Sequence, residues 1–301
     1  MRKLILSKKF VPRTKVFTFS FLIFYSLFIF TGCYTPRYVY SPAAQNVPLL
    51  AEKGDSKLGV VYSTNFTGTK TIDNQTFKGQ SNGVDIHGAY AISKRYAVQA
   101  SFFSRSEING GDFDGLRDSA VIRYKRHITE IGAGYYTRIS EGELGQIYFQ
   151  VFAGGGFGKF SFTDNGRNNN GVQTLNFHRA SVAKFYVQPA IMVQNKKKSL
   201  VAVSSRFSIV NYSNIQTDYD ANELAIYELA EIDNGPVVFW EPGFTHAIGF
   251  GKLPLRLEYQ FGLSVLMSRR FIDSRSLNFS VGLQADVARL FKKKPAPQEK
   301  K

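Results

Sequence analysis

The amino-acid sequence predicts an all-β protein, an antiparallel transmembrane β-barrel of about ten strands within a range of about eight to twelve. Three observations carry that expectation. Apolar and polar residues alternate with a period of two from Asp55 onward, and no stretch of helical period is long enough to supply a core. The alternating runs reach or exceed the roughly 9 to 11 residues a strand needs to cross a bilayer. Long and short connections alternate between the runs, which puts long loops on one side and tight turns on the other.

The alternation is clearest near the C-terminus. Leu255, Leu257, Tyr259, Phe261, Leu263 and Val265 interleave with Arg256, Glu258, Gln260, Gly262 and Ser264. Leu277, Phe279, Val281, Leu283, Ala285 and Val287 do the same with Asn278, Ser280, Gly282, Gln284 and Asp286, and Tyr96, Val98, Ala100 and Phe102 form a shorter version. Each run has one apolar and one polar face. A soluble sandwich shows the same alternation with its apolar faces turned to a core, so a lipid-anchored β-sandwich stands as the alternative fold.

From the N-terminus, residues 1–32 have the layout of a signal peptide. Arg2, Lys3, Lys8, Lys9, Arg13 and Lys15 precede an apolar run over residues 16–30, followed by the small residues Thr31 and Gly32. That run is shorter than the about 20 residues of a membrane-spanning helix. Phe30-Thr31-Gly32-Cys33 resembles the bacterial lipobox, and the resemblance implies a mature chain that begins at Cys33 and carries acyl groups such as palmitate there. Cys33 is the only cysteine, so neither a disulfide framework nor a thiolate metal cluster is available.

Residues 33–54 hold Pro36, Pro42 and Pro48 among polar neighbours and are expected to form an extended tether between anchor and body. Residues 55–291 are expected to form the barrel, with strands near 55–65, 82–93, 95–104, 127–139, 146–162, 175–194, 199–211, 236–250, 253–267 and 275–291. Short turns are expected at Ser93-Lys94, Glu141-Gly142-Glu143, Lys196-Lys197-Lys198 and Gly251-Lys252. Long connections are expected after the first strand, through Gly110-Gly111-Asp112, across residues 162–175 and across residues 212–235. Residues 292–301, with Lys292, Lys293, Lys294, Lys300 and Lys301, form a basic tail that cannot bury a core.

Together these features resemble the outer-membrane β-barrel lipoproteins common in the Bacteroidota. The residues that carry the resemblance are Cys33, Asn46-Val47-Pro48-Leu49 with Glu52-Lys53-Gly54, and Glu130-Ile131-Gly132-Ala133-Gly134-Tyr135-Tyr136. It implies a bacterial outer-membrane location, and it brings no catalytic residues. Such barrels usually close on a strand that ends in an aromatic residue, and Phe291 is placed to fill that role, although ten residues follow it. Both termini are expected on the periplasmic side. Tyr34-Thr35-Pro36-Arg37 lacks an acidic run associated with export to the cell surface, so Cys33 is expected in the periplasmic leaflet.

The formal charge of +15 would ordinarily suggest nucleic acid, but six basic residues lie in the leader and five in the tail. The rest form no single aromatic-interleaved face, so nucleic acid is not an expected partner. His87, His127, His178 and His246 fall on separate strands without metal-ligand spacing, and no metal or cofactor is expected. His246 sits on an aromatic strand, and a Ser from a neighbouring strand is what a lipid hydrolase would need beside it. The expected inward charges are Asp85, His87, Arg95, Glu130, Arg256, Glu258 and Asp286, either a salt-bridged plug or a wet, narrow lumen.

Residues 212–235 carry Asp218, Asp220, Glu223, Glu228, Glu231 and Asp233 with no Lys or Arg, and a short helix is expected over residues 222–231. Position six of a calcium loop begun at Asp218 is Glu223 where Gly is needed, and position twelve is Leu229 where Glu is needed. Gly154-Gly155-Gly156-Phe157-Gly158 has no helix after it and is read as strand. The expected role is therefore non-enzymatic, structural or surface-interacting. Its expected partners are the outer-membrane lipid bilayer and an unknown extracellular ligand at the long loops. A narrow channel or transporter, and a lipid-modifying barrel enzyme, are the alternatives.

Overall fold

The computed structural model describes residues 36–65, 69–72, 75–111, 120–142, 145–167, 173–195, 199–250 and 253–291. The strands are β1 (Ser56–Thr64), β2 (Thr69–Ile72), β3 (Gln75–Lys78), β4 (Gln80–Ala91), β5 (Tyr96–Gly111), β6 (Ala120–Gly142), β7 (Gly145–Arg167), β8 (Gln173–Gln194), β9 (Leu200–Thr217), β10 (Val237–Gly249), β11 (Leu255–Leu263), β12 (Val265–Leu266) and β13 (Leu277–Asp286). β2 and β3 pair only with each other, as a hairpin in the first long connection, and β12 continues the line of β11. The ten that remain form one antiparallel ring. β13 lies between β11 and β1, the chain order then runs from β4 to β10, and β10 pairs with β11 to close it.

Closure requires tilted strands. A row of register partners from Leu58 on β1 climbs through Gly88, Ala100, Ile131, Gly155, Phe185 and Ile209 to Val238 at the start of β10. β6, β7 and β8, at 23, 23 and 22 residues, are about twice as long as β1 or β13 and raise one side of the wall.

The pleat sorts the side chains. Val84, Ile86, Val98, Phe102, Ile131, Phe157, Phe185, Val203, Phe207 and Leu283 stand outward and exposed, with Phe157 71% exposed, while Asp85, Arg105, Glu130, Lys184, Arg206 and Glu241 point into the lumen and are buried. A sandwich would bury the first set. The structure is therefore the expected barrel, with its apolar surface on the outside.

The strands run further toward the long loops than the pattern predicts. β5 continues past residue 104 to Gly111, and β6 begins at Ala120 instead of near residue 127. Charged inward residues there, Arg105, Glu107 and Arg126, interrupt the apolar rhythm that marks a strand. At the C-terminus the last strand stops at Asp286, and residues Val287–Phe291 form a short helix, so Phe291 does not end the closing strand as expected.

The expected tether is extended, yet it is not outside the barrel. Of residues 36–50, all but Pro36, Tyr38 and Ala43 are buried, and the segment runs down the lumen. Near its start Arg37 contacts β7 close to a long loop, and near its end Gly54 hydrogen-bonds Ala91 at a tight turn. Pro36 thus lies at the long-loop end of the barrel and Phe291 at the turn end, while the termini themselves, expected on the periplasmic side, lie outside the described residues. The sequence reads the prolines and polar residues as an extended tether. A polar lumen satisfies the same backbone groups from its walls.

Candidate functional site

The site is the filled lumen, built from the segment outward. At the long-loop end, Arg37 donates from Nε and Nη2 to Asp164 Oδ2 on β7 at 3.0 and 2.5 Å, and its guanidinium lies 3.6 Å from the centre of the Tyr227 ring. Its backbone N–H donates to Asp273 Oδ2 at 3.0 Å. Tyr219 donates to the same Asp164 oxygen at 2.6 Å, and burial beside that carboxylate holds the Tyr219 hydroxyl above its ordinary pKa, so it remains a donor. One latch thus joins the segment, β7 and two long loops. Tyr40 bridges in parallel to Ser274, with Val39 N–H donating to the Asp273 carbonyl and Arg275 N–H to the Tyr40 carbonyl.

In the middle, Arg105 on β5 donates to Ser41 Oγ at 2.8 Å, the Pro42 carbonyl at 3.1 Å, Asn65 at 2.5 Å and Asn278 at 2.6 Å. Arg126 on β6 donates to the Tyr38 carbonyl and pairs with Glu107, which accepts from Ser41. The Tyr40 hydroxyl donates to Glu241 at 2.7 Å and accepts from Lys184 at 3.1 Å, and its ring stacks on Phe239 at 4.0 Å. Lys184 and Arg206 both reach Glu130, at 3.2 and 3.3 Å. Buried charges of both signs are paired here, as removal from water demands.

Lower down, Gln45 and Gln260 exchange hydrogen bonds, Gln260 accepting from the Gln45 backbone N–H at 2.9 Å and donating to its carbonyl at 2.8 Å. Gln188 donates to the Asn46 carbonyl at 2.7 Å. Gly243 matters to this register: a Cβ there would come within 3.2 Å of the Gln45 side chain. At the turn end the contacts become apolar. Val47 and Leu49 pack with Tyr148, Met192, Leu200 and Ala247, and Leu50 packs with Ala89, Ala91, Ala97, Tyr136 and Phe152.

Of the inward charges expected from sequence, Asp85, His87, Glu130 and Glu258 are buried in the lumen, and Arg256 and Asp286 lie at its turn end. His87 and Glu258 approach to 3.7 Å. Arg95, expected inward, is instead exposed in the tight turn before β5, outside the strand expected to hold it. The expected set lacks Arg105, Glu107, Arg126, Lys184, Arg206 and Glu241. Parity along each strand would have found Lys184, which shares its face with Val182 and Tyr186. Cys33 lies outside the described residues, as do the leader and the basic tail.

The four histidines stay apart. His178 stacks on Phe162 at 5.5 Å within the lumen, and His127 is exposed on the outer wall. His246 also faces outward, and there the structure supplies the serine that sequence left open: Ser199 Oγ lies 2.8 Å from Nε2, while the Tyr259 hydroxyl bonds Nδ1. A catalytic histidine needs Nδ1 protonated so that Nε2 can accept the serine proton, a tautomer that an acceptor-only carboxylate enforces. Tyr259 is itself a donor and enforces no such tautomer.

The acidic loop forms a helix over Ala221–Ile226, followed by a 3-10 turn at Ala230–Ile232, close to the expected span. Asp220 and Glu223 make a reciprocal capping box, and Asp218 accepts from the Phe177 N–H at 2.6 Å. These carboxylates are engaged in local structure. Among the described residues no group of three or more metal-ligating side chains comes together.

No protein-family model and no curated protein matches the chain. Among solved structures, the translocator domain of autotransporter NalP from Neisseria meningitidis is similar over 77% of this chain and 88% of that one, with a TM-score of 0.44 and 10% identity. The COG4313 outer membrane channel from Pseudomonas putida F1 is similar over 80% and 99%, with a TM-score of 0.32 and 9% identity. OmpT, an outer membrane protein of Vibrio cholerae, is similar over 80% and 99%, with a TM-score of 0.23 and 10% identity. At such scores and identities these likenesses carry nothing about activity.

Proposed function

We propose that this chain is a bacterial outer-membrane barrel with a structural or surface-interaction role, its long loops turned outward and its lumen closed by its own residues 36–50. The observation that carries the reading is the luminal segment. Its backbone and side chains are bonded to β5, β6, β7, β8, β10 and β11 along the axis, an arrangement that blocks diffusion and spans the wall from end to end. The membrane is supported by the outer face: each Å² of apolar surface left in water costs roughly 25 cal/mol, so so broad an apolar exterior belongs in lipid. Long loops of such barrels face the exterior. On that orientation the chain enters the lumen from the outside at Pro36 and leaves it at the periplasmic side near Gly54.

Planar-bilayer recordings test the role. The intact chain is expected to be silent, and deletion of residues 36–50 is expected to open a conductance; steady current through the intact chain would favour the channel alternative. A protease site inserted ahead of Pro36 should be cut in intact cells, and protection there would reverse the orientation. The signal peptide and the acyl chain at Cys33 are part of the proposal. Palmitate labelling should be lost in Cys33→Ala while membrane association persists through the barrel wall. The reading includes no catalysis, so His246→Ala should leave envelope lipids unchanged.

A further inference from the structure

The tall side of the barrel carries a feature that a closed, structural lumen does not use. On the outward faces of β6, β7 and β8 the apolar wall is interrupted toward the long loops, before Phe177 and Leu175 resume it on β8. The row Thr129, Phe157 and Ala183 is followed by the row His127, Lys159 and Ser181, and the next row is Lys125, Ser161 and Arg179. These two rows line a depression of about 520 Å³ together with Asn214 and Gln216 of β9. The pairing of β8 with β9 slips between Arg179 and Ser181, and Asn214 has a φ of 52°, so the wall is locally opened at that place.

Lys125, His127, Lys159 and Arg179 are all exposed. Among the described residues no carboxylate lies within ion-pair distance of Lys125, Lys159 or Arg179. The turn end differs, since exposed Arg138 there pairs with Glu141 at 2.7 Å. Three like charges on one small face repel one another unless an anion sits between them. Directly beneath them stand Ile131, Phe157 and Phe185, each more than 60% exposed. A cationic, hydroxyl-bearing depression immediately above an apolar wall is complementary to one kind of molecule, with a negative head and fatty tails.

We propose that this depression binds the phosphate-bearing headgroup of a membrane lipid in the leaflet on the long-loop side. Lys125, Lys159 and Arg179 contact the phosphate, Ser161 and Ser181 donate hydrogen bonds to it, and the acyl chains lie along Phe157 and Phe185. The inference rests on the outer-membrane reading.

Native mass spectrometry of the full chain in neutral detergent tests it, with dioleoyl phosphatidic acid, dioleoylglycerol and inorganic phosphate as probes. Phosphatidic acid should be retained over dioleoylglycerol by about tenfold or more, as several charge-assisted hydrogen bonds imply. Lys125→Gln/Lys159→Gln/Arg179→Gln should lose that preference, and Arg138→Gln at the other end should keep it. If the triple variant does not fold, Lys159→Gln alone and a rise in salt should each weaken retention. Equal retention of the two lipids, or an unaffected variant, overturns the inference alone. Displacement of the lipid by equimolar inorganic phosphate overturns the lipid as occupant. A wild-type chain that dissolves without detergent and shows no heat-dependent gel shift overturns the membrane reading and this inference with it.

Discussion

The upper half of the luminal segment is held by directional polar bonds in addition to an apolar cluster that takes in Val39 and Tyr40, whereas the lower half is held by apolar packing. Residues 37–46 meet charged and polar side chains: Asp164, Arg105, Arg126, Glu241 and Gln260 each bond to them. Residues 47–50 meet Tyr148, Met192, Tyr136 and Phe152 in two apolar clusters. Hydrogen bonds and ion pairs are directional, so the upper half determines the register in which the segment lies. Apolar packing is non-directional, so the lower half contributes firmness with little say over register.

That contrast can be broken at several points. Arg105→Met should have the largest effect, because it removes four hydrogen bonds and leaves Glu107 and Asp85 short of a neighbouring cation. Breaking such a buried network costs about 3–5 kcal/mol, read as a lower urea midpoint in detergent, and current bursts should appear as the register loosens. Leu50→Ala should cost about 3 kcal/mol by leaving a cavity against Phe152 and Tyr136, yet the barrel should stay electrically silent. If Leu50→Ala leaks and Arg105→Met does not, the roles assigned to the two halves are reversed.

Asp164→Asn should cost about 2 kcal/mol, since the buried Arg37 guanidinium loses its ion pair and faces a neutral amide. Hydrogen exchange should quicken over residues 37–41 and stay slow over residues 47–50. Asp220→Ala removes the helix cap outside the lumen and should cost about 1 kcal/mol, confined to the loop after β9. An effect of that variant on either half of the segment would show that the loop is coupled to the lumen more strongly than the Arg37 latch implies.

The fold was largely legible because period-two alternation reports the pleat directly. Leu255 to Val265 and Leu277 to Val287 read from sequence as two-faced strands; β11 and β12 carry the first, and β13 carries the second as far as Asp286, with Val287 starting the short helix. The alternation alone did not tell lipid-facing from core-facing, since Phe157 and Phe185 look the same whether they meet lipid or another sheet. The luminal site was less legible. Asp85, Glu130 and Glu258 are visible as polar residues on apolar strands, but Arg105 and Arg126 lie where charge hid the strand ends, and Ser199 meets His246 only because β9 and β10 are neighbours.

The sequence by itself determined two-faced antiparallel strands, their near count and their alternating long and short connections. Each of these is a local property, written in the spacing of a few residues. Tertiary structure alone decided that residues 36–50 fill the lumen instead of lying outside it. Their prolines and amides suit water or a polar wall equally well, and only the closed ring of strands places Asp164, Arg105, Glu241 and Gln260 where the segment's bonding groups find them.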